Sequence, residues 1–156
     1  MSDPYEEIVD GETLLRLAPG PRHEVICQRL HSTVATGLAT VSTSRLLAAR
    51  SVVQLAAGTL VRPDLSLVTA ATGKIWLVAE IISSDDHKSD TVIKKMVYEE
   101  INLPRLWMID PRYNNVEIYH GTPYGLTLKH ILAGKDLITE ALLPGLGLTV
   151  DALFQL

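Results

Sequence analysis

One cysteine, one phenylalanine and two tryptophans in 156 residues leave this chain short of thiols and of large aromatics. The single thiol, Cys27, excludes a disulfide framework and a thiolate metal cluster, and fits a reducing compartment. No apolar run approaches the ~20 residues that cross a bilayer, so no membrane segment is expected. The opening MSDPYEEIVDGE is acidic and lacks the basic, apolar and small-residue succession of a secretory leader, so a cytoplasmic location is expected. Arg16, Arg22, Arg29, Arg45, Arg50, Lys88, Lys94 and Lys95 are scattered, and no basic arm or tail forms. With a formal charge of −4, this argues against nucleic-acid binding by bulk electrostatics. A local groove is still allowed, because a bound metal can supply positive charge where it is needed.

Apolar residues make up 47% and charged residues 21%, the balance of an ordinary globular chain that fits a single domain over residues 1–156. Glu7 to Leu17 predicts a hairpin turning at Asp10-Gly11. Arg22 to about Val41 predicts a helix, with Val25, Ile26, Leu30, Val34 and Leu38 on its apolar face. Residues 44–58 are ambiguous and are read as strand. Two strands follow, at about 62–68 and 74–82, joined closely enough to be antiparallel. On the second, alternation places Trp76, Val78, Glu80 and Ile82 on one face and Ile75, Leu77, Ala79 and Ile81 on the other. Both faces are apolar, which predicts an internal strand. A helix from the Ser83–Asp86 region to about Glu100 should bury Val92, Ile93, Met96, Val97 and Ile101. It leads to a strand at Leu106–Ile109, parallel to the glutamate strand through a right-handed crossover. A second hairpin, Val116–His120 with Gly125–Lys129, and a tail of strand pieces, a loop and a small helix complete the chain.

The stretch from Leu60 to Pro111 organises the rest. Two apolar strands each carry one carboxylate, Asp64 and Glu80, and the following helix sets Asp90, Lys94 and Tyr98 on one face. An ionised carboxylate in an apolar strand needs a partner, a hydrogen bond or a metal. A purely structural role competes: Asp64 capping a turn after Pro63, and Glu80 paired with Lys94 in a buried salt bridge. Asp90 can pair with Lys94 across one turn. Cys27 lies one turn from His23, but its apolar helical neighbours favour a core thiol over a nucleophile. Asp85, Asp86, His87 and Asp90 read as a solvated helix start rather than a metal cluster.

RPDLSLV, WLVAEIISS, Asp90 with Lys94 and Tyr98 at four-residue spacings, and RLWMIDP together resemble the Uma-type restriction endonuclease family of the PD-(D/E)XK nuclease superfamily. Glu7 before Asp10-Gly11, His23 at a helix start and the closing LPGLGLTVDALF add to the likeness. The resemblance implies an α/β (α+β) restriction-endonuclease-like fold, a mixed central sheet flanked by helices with N-terminal and C-terminal hairpins. It implies a magnesium or manganese ion held by Asp64, Glu80 and the Ile81 carbonyl, and catalysis by Asp64, Glu80 and Lys94. Glu7, His23 and Tyr98 are possible accessories. The superfamily's acid-X-lysine is broken here, since Ile82 stands where lysine is expected. Lys94, on the next helix, matches the family's migrated lysine. The positions where the family has a further glutamate and tyrosine hold Pro104, Arg105 and Leu106, read as exterior. The implied activity is hydrolysis of phosphodiester bonds, with DNA as partner and a homodimer or higher homo-oligomer as the assembly. A catalytically silent nucleic-acid-binding or interaction module of the same fold is the rival, and a hydrolase of smaller phosphate esters is a third reading.

Overall fold

The computed structural model describes residues 3–83 and 89–156, with the backbone alone for Ser89 and Asp90. Strands β1 (Tyr5–Val9) and β2 (Glu12–Arg16) form the expected hairpin. Asp10 and Gly11 turn it with φ of 50° and 79°, the left-handed pair that a two-residue hairpin loop demands. Helix α1 (Pro21–Gly37) follows, then β3 (Ser44–Leu46), β4 (Val53–Ala56), β5 (Thr59–Val61), β6 (Leu65–Thr69) and β7 (Ile75–Ile81). A π-helical turn at Ser89–Lys94 runs into α2 (Lys95–Glu100). Strands β8 (Arg105–Asp110), β9 (Asn115–Thr122), β10 (Gly125–Ala133), β11 (Leu137–Glu140) and β12 (Leu143–Thr149) precede α3 (Val150–Phe154).

Among the described residues, the central sheet has the order β10-β9-β8-β7-β6-β3. It is antiparallel except for the β7·β8 pair, which is parallel as the crossover predicts. A smaller sheet, β2-β1-β5-β4, lies beside it, and β11 pairs with β12. All seven residues of β7 are buried, as expected of a strand covered on both faces. One core joins Ile26, Leu30 and Val34 of α1 to Leu77, Ala79, Ile81, Trp107, Leu146 and Leu153. The other joins Val78, Ile82, Tyr98, Leu106, Met108 and Tyr119 on the opposite face of the sheet. The small sheet meets the large one where β5 passes through Arg62-Pro63 into Asp64 and β6, so Asp64 stands at the junction of the two.

Several boundaries and faces differ from the sequence reading. Helix α1 stops at Gly37, not Val41, and there it touches β12 backbone to backbone. A β-carbon on Gly37 would lie 3.3 Å from the Leu146 nitrogen. Val25 is 44% exposed rather than part of the core. Residues 44–58 split into β3, at the edge of the central sheet, and β4, in the small one. A bulge in β7 pairs Leu67 with Leu77 but Val68 with Ile75, which strands Trp76 and resets the alternation there. Trp76 therefore packs with Leu77, Ala79 and Ile81, and Ile75 with Val78. The second hairpin is longer than expected, and residues 143–149 form β12 where a loop was expected. Leu106 is buried in the core, not exterior.

The largest correction concerns the segment after Glu80. Val92 and Met96 are exposed, and its buried face carries Lys94, Val97 and Tyr98. The π-helical turn before α2 breaks the 3.6-residue period on which the apolar face was reckoned. The start of this helix and the acidic run at residues 85–87 lie outside the described residues, as does the Asp90 side chain.

Gly121 shows how closely β9 packs against the turn before β8. A β-carbon there would sit 2.4 Å from the Leu103 carbonyl oxygen and 3.3 Å from the Pro104 α-carbon, both backbone atoms. Gly121→Ala should cost about 1–3 kcal/mol in urea unfolding, whereas Gly147→Ala, with nothing within 4 Å, should stay within about 0.5 kcal/mol. Equal effects would mean that the approach at Gly121 is not a constraint.

Candidate active site

Glu7, Asp64, Glu80, Lys94 and Tyr98 are brought together from β1, the junction before β6, β7, the π-helical turn and α2, and all five are buried. Lys94 Nζ lies 2.7 Å from Glu7 Oε2 and forms a shorter ion pair with Glu80 Oε2. Tyr98 donates its hydroxyl to the same Glu80 oxygen at 3.1 Å. Glu7 is held further by the Arg16 guanidinium at 2.5 Å and by the Arg62 backbone N–H at 2.6 Å. Burial pushes the Glu7 carboxyl up, but Lys94, the Arg62 N–H and Arg16 outweigh it and hold the group below the usual carboxylate range. Tyr98 is driven the other way, because burial and the Glu80 charge both oppose a phenolate. Its proton therefore stays on the oxygen and remains available to Glu80.

Asp64 is the second focus. Its Oδ2 accepts from the Ile81 backbone N–H at 2.8 Å, and its own N–H faces Glu80 Oε1 at 3.4 Å. His23, on the first turn of α1, reaches the same place. Its Nε2 lies 3.2 Å from the Ile81 carbonyl oxygen and 3.4 Å from Asp64 Oδ2. A carbonyl only accepts, so this nitrogen carries a hydrogen. Arg50 closes the other side, 3.2 Å from Asp64 Oδ1. Burial raises the Asp64 carboxyl, yet His23, the Ile81 N–H and Lys94 together bring it down to about 2. The His23 imidazole loses basicity to burial but gains more from Asp64, for a net upward shift.

The structure thus brings together Asp64, Glu80, Lys94, Glu7, His23 and Tyr98, the residues singled out from the sequence. The sequence reading assigned no role to Arg16, Arg50, Glu24 and His31, which also contact this cluster. Arg50 bridges Asp64 and Glu24, while His31 Nε2 donates to the Asp64 carbonyl oxygen at 2.7 Å. His31 shares an α1 face with Cys27 and Glu24, and that spacing was the signal available. Cys27 contacts the same carbonyl from a buried position, and burial raises its thiol to about 12, which makes it a core residue and no nucleophile.

Among the described residues, no three His, Cys, Asp or Glu side chains converge as a ready-made cation cage. Two carboxylates and a backbone carbonyl suit an ion that keeps several of its waters, so the donor set fits magnesium or manganese better than a fully protein-coordinated metal. Each carboxylate oxygen of Asp64 and Glu80 already faces an N–H, an O–H or a cation of the chain.

A family model described as "Uma2: Putative restriction endonuclease" matches residues 2–151. The chain belongs to the Uma2 family. Its fold is also that of a crystal structure titled as a putative nuclease belonging to DUF820 from Anabaena variabilis ATCC 29413. The two share 16% identity with a TM-score of 0.80, covering 98% of this chain and 91% of the other. No curated protein matches this Uma2 sequence. No helix among its described residues is long and apolar enough to cross a membrane.

Two outcomes test this ionic site. Asp64 is stabilised as an anion above its ordinary value near 3.8, and that contribution disappears as pH falls through about 2. Asp64→Asn should therefore remove on the order of 2 kcal/mol at pH 7 and flatten the acid limb of a urea-stability profile between roughly pH 4 and pH 2. An unchanged acid limb would show that these partners do not hold Asp64 ionised. Lys94→Met removes the cation between two buried carboxylates, leaving Arg16 on Glu7 and the Tyr98 hydroxyl on Glu80, and should cost about 3–5 kcal/mol at pH 7, less in acid as the carboxylates take up protons. A loss that does not depend on pH would mean packing alone.

Proposed function

We propose that this Uma2 chain is a metal-dependent nuclease that hydrolyses phosphodiester bonds in DNA, acting in the cytoplasm as a homodimer or higher homo-oligomer. The observation that carries the proposal is the meeting of Asp64 and Glu80 beside a fully buried lysine, with His23 facing both the Ile81 carbonyl and Asp64. Asp64, Glu80 and the Ile81 carbonyl would hold magnesium or manganese. Bound there, such an ion supplies an activated water and offsets charge developing on the phosphate.

The chain's own groups have separable tasks. Lys94 sets the orientation of Glu80 and lowers the cost of keeping that anion in an apolar strand. Glu7 holds Lys94 from the far side, and Tyr98 fixes the Glu80 oxygen that Lys94 engages. His23 donates to the Ile81 carbonyl and so aligns it with Asp64. A cleft of about 320 Å³, lined by His23, Arg22, Ile82, Ser83 and Arg112, opens beside these atoms. Of its two arginines, Arg112 is paired with both oxygens of Asp110 at 3.0 Å, whereas Arg22 bonds the neutral Asn114 and Phe154 oxygens, so Arg22 supplies the local positive charge that a phosphate backbone can approach. The homo-oligomer rests on the chemistry alone: cutting a duplex takes two sites, and twofold assemblies predominate among soluble oligomers.

Calorimetry with magnesium and manganese, run beside plasmid nicking, tests the proposal. Wild type should bind the ion and nick, Asp64→Ala should lose both, and Lys94→Ala should nick at least ~100-fold more slowly. Nicking that persists in Asp64→Ala, or a wild type that binds neither ion, would overturn the assignment.

A further inference from the structure

Arg50 lies in the connection between β3 and β4, outside the residues given a task above. Its φ is 57°, left-handed for a residue with a side chain. Such a conformation is strained and persists only where surrounding contacts enforce it. The contacts are present. The Arg50 N–H donates to the Pro63 carbonyl at 3.0 Å, which fixes this loop to the residue before Asp64. The guanidinium divides between two carboxylates. Nη2 reaches both oxygens of Glu24, at 2.7 and 2.9 Å, while Nη1 reaches Asp64 Oδ1 at a longer 3.2 Å. The Asp64 carboxylate is buried and Glu24 is about one-third exposed.

We infer that Arg50 is the resident counter-ion of Asp64, whose place a divalent cation takes, and that the displaced guanidinium becomes a donor for the anionic substrate. The inference rests on the metal-dependent reading above and adds a coupling between ion and substrate. A guanidinium and a divalent ion cannot share Asp64 Oδ1, because like charges at contact distance repel strongly in a site of low dielectric. The Asp64 contact is the longer of Arg50's two attachments, so it is the one that yields. Glu24 keeps its grip on Nη2, and the freed Nη1 remains beside Asp64 rather than swinging into solvent. Planar donors held in this way suit phosphate oxygens. Entry of the ion is therefore an exchange of cations. By linkage, whatever weakens Arg50 on Asp64 strengthens the ion there.

The test compares wild type, Arg50→Gln and Arg50→Lys by manganese calorimetry, by thermal melting with and without manganese, and by binding of a short DNA duplex in calcium. Arg50→Gln should bind manganese about fivefold or more tightly than wild type, while Arg50→Lys, which keeps the charge, should stay near wild type. Metal-free Arg50→Gln should melt below wild type, and saturating manganese should close that gap. A purely structural role would lower both melting points alike. Calcium-loaded Arg50→Gln should hold the duplex several-fold more weakly than calcium-loaded wild type. Manganese affinity unchanged or weakened in Arg50→Gln overturns the counter-ion, and undiminished duplex binding overturns the donor role. If wild type itself binds no manganese, the metal-dependent reading falls and this inference with it. If wild type binds and Arg50→Gln does not differ, only the inference falls.

Discussion

The ammonium of Lys94, buried without solvent contact between Glu7 and Glu80, is the interaction on which the rest of the site depends. A lone charge in that position would cost several kcal/mol, and without the lysine Glu80 would lose this cation while Glu7 would keep Arg16. The three groups come from β1, β7 and the π-helical turn, so their charges can be satisfied only when the small sheet, the central sheet and the crossover segment are all in place. Buried ion pairs contribute little net stability when compared with an apolar core, but removing one partner is expensive. The network thus selects one arrangement of the sheets more than it deepens the fold.

A second ionic focus sits across the strand. Among the described residues, Glu7, Glu24, Asp64 and Glu80 face Arg16, Arg50 and Lys94, which leaves one carboxylate in excess before His23 is counted. The chain is acidic as a whole, and this local excess has the same sign. Negative charge concentrated at the ends of β6 and β7 attracts small cations, while Arg22 and Arg112 line the cleft alongside. Acidic composition and an anionic substrate are compatible once the charges are placed in this way.

Much of this was legible in the sequence, and the reasons differ by element. β7 announced itself because seven apolar-rich residues carry a single carboxylate, a pattern that only an internal strand with a partnered acid explains. The β1–β2 hairpin followed from Asp-Gly, since few other dipeptides take two left-handed residues. Asp64, Glu80 and Lys94 were found through the family pattern. The contacts of Glu80 show that the simpler reading, a buried salt bridge with Lys94, also describes the geometry. What stayed hidden has physical causes. The bulge at Trp76 inverts two side chains through cross-strand register, which one strand's sequence does not contain. The face of α2 was misjudged because a π-helical turn shifts the period, and because a buried lysine occupies the position that an apolar residue would mark. Arg50 was invisible since its role depends on a positive φ and on Glu24, 26 positions away.

Helix α1 supplies His23 and Glu24, yet it is fastened by contacts to the far end of the chain. Arg22 reaches the Phe154 carbonyl across 132 positions, and Arg29 reaches that of Leu153 across 124. Gly37 and Gly145 add a backbone-to-backbone contact with β12. Closing loops of that length delays the gain from the contacts they make, so folding of this chain should be slow for its size. On the ribosome, the Arg22 and Arg29 contacts at the front of α1 cannot form until α3 has emerged. The helix end that carries His23 and Glu24 is therefore fully fastened only late, and a chain still being synthesised holds that side of the acid–base cluster by fewer contacts than the finished fold.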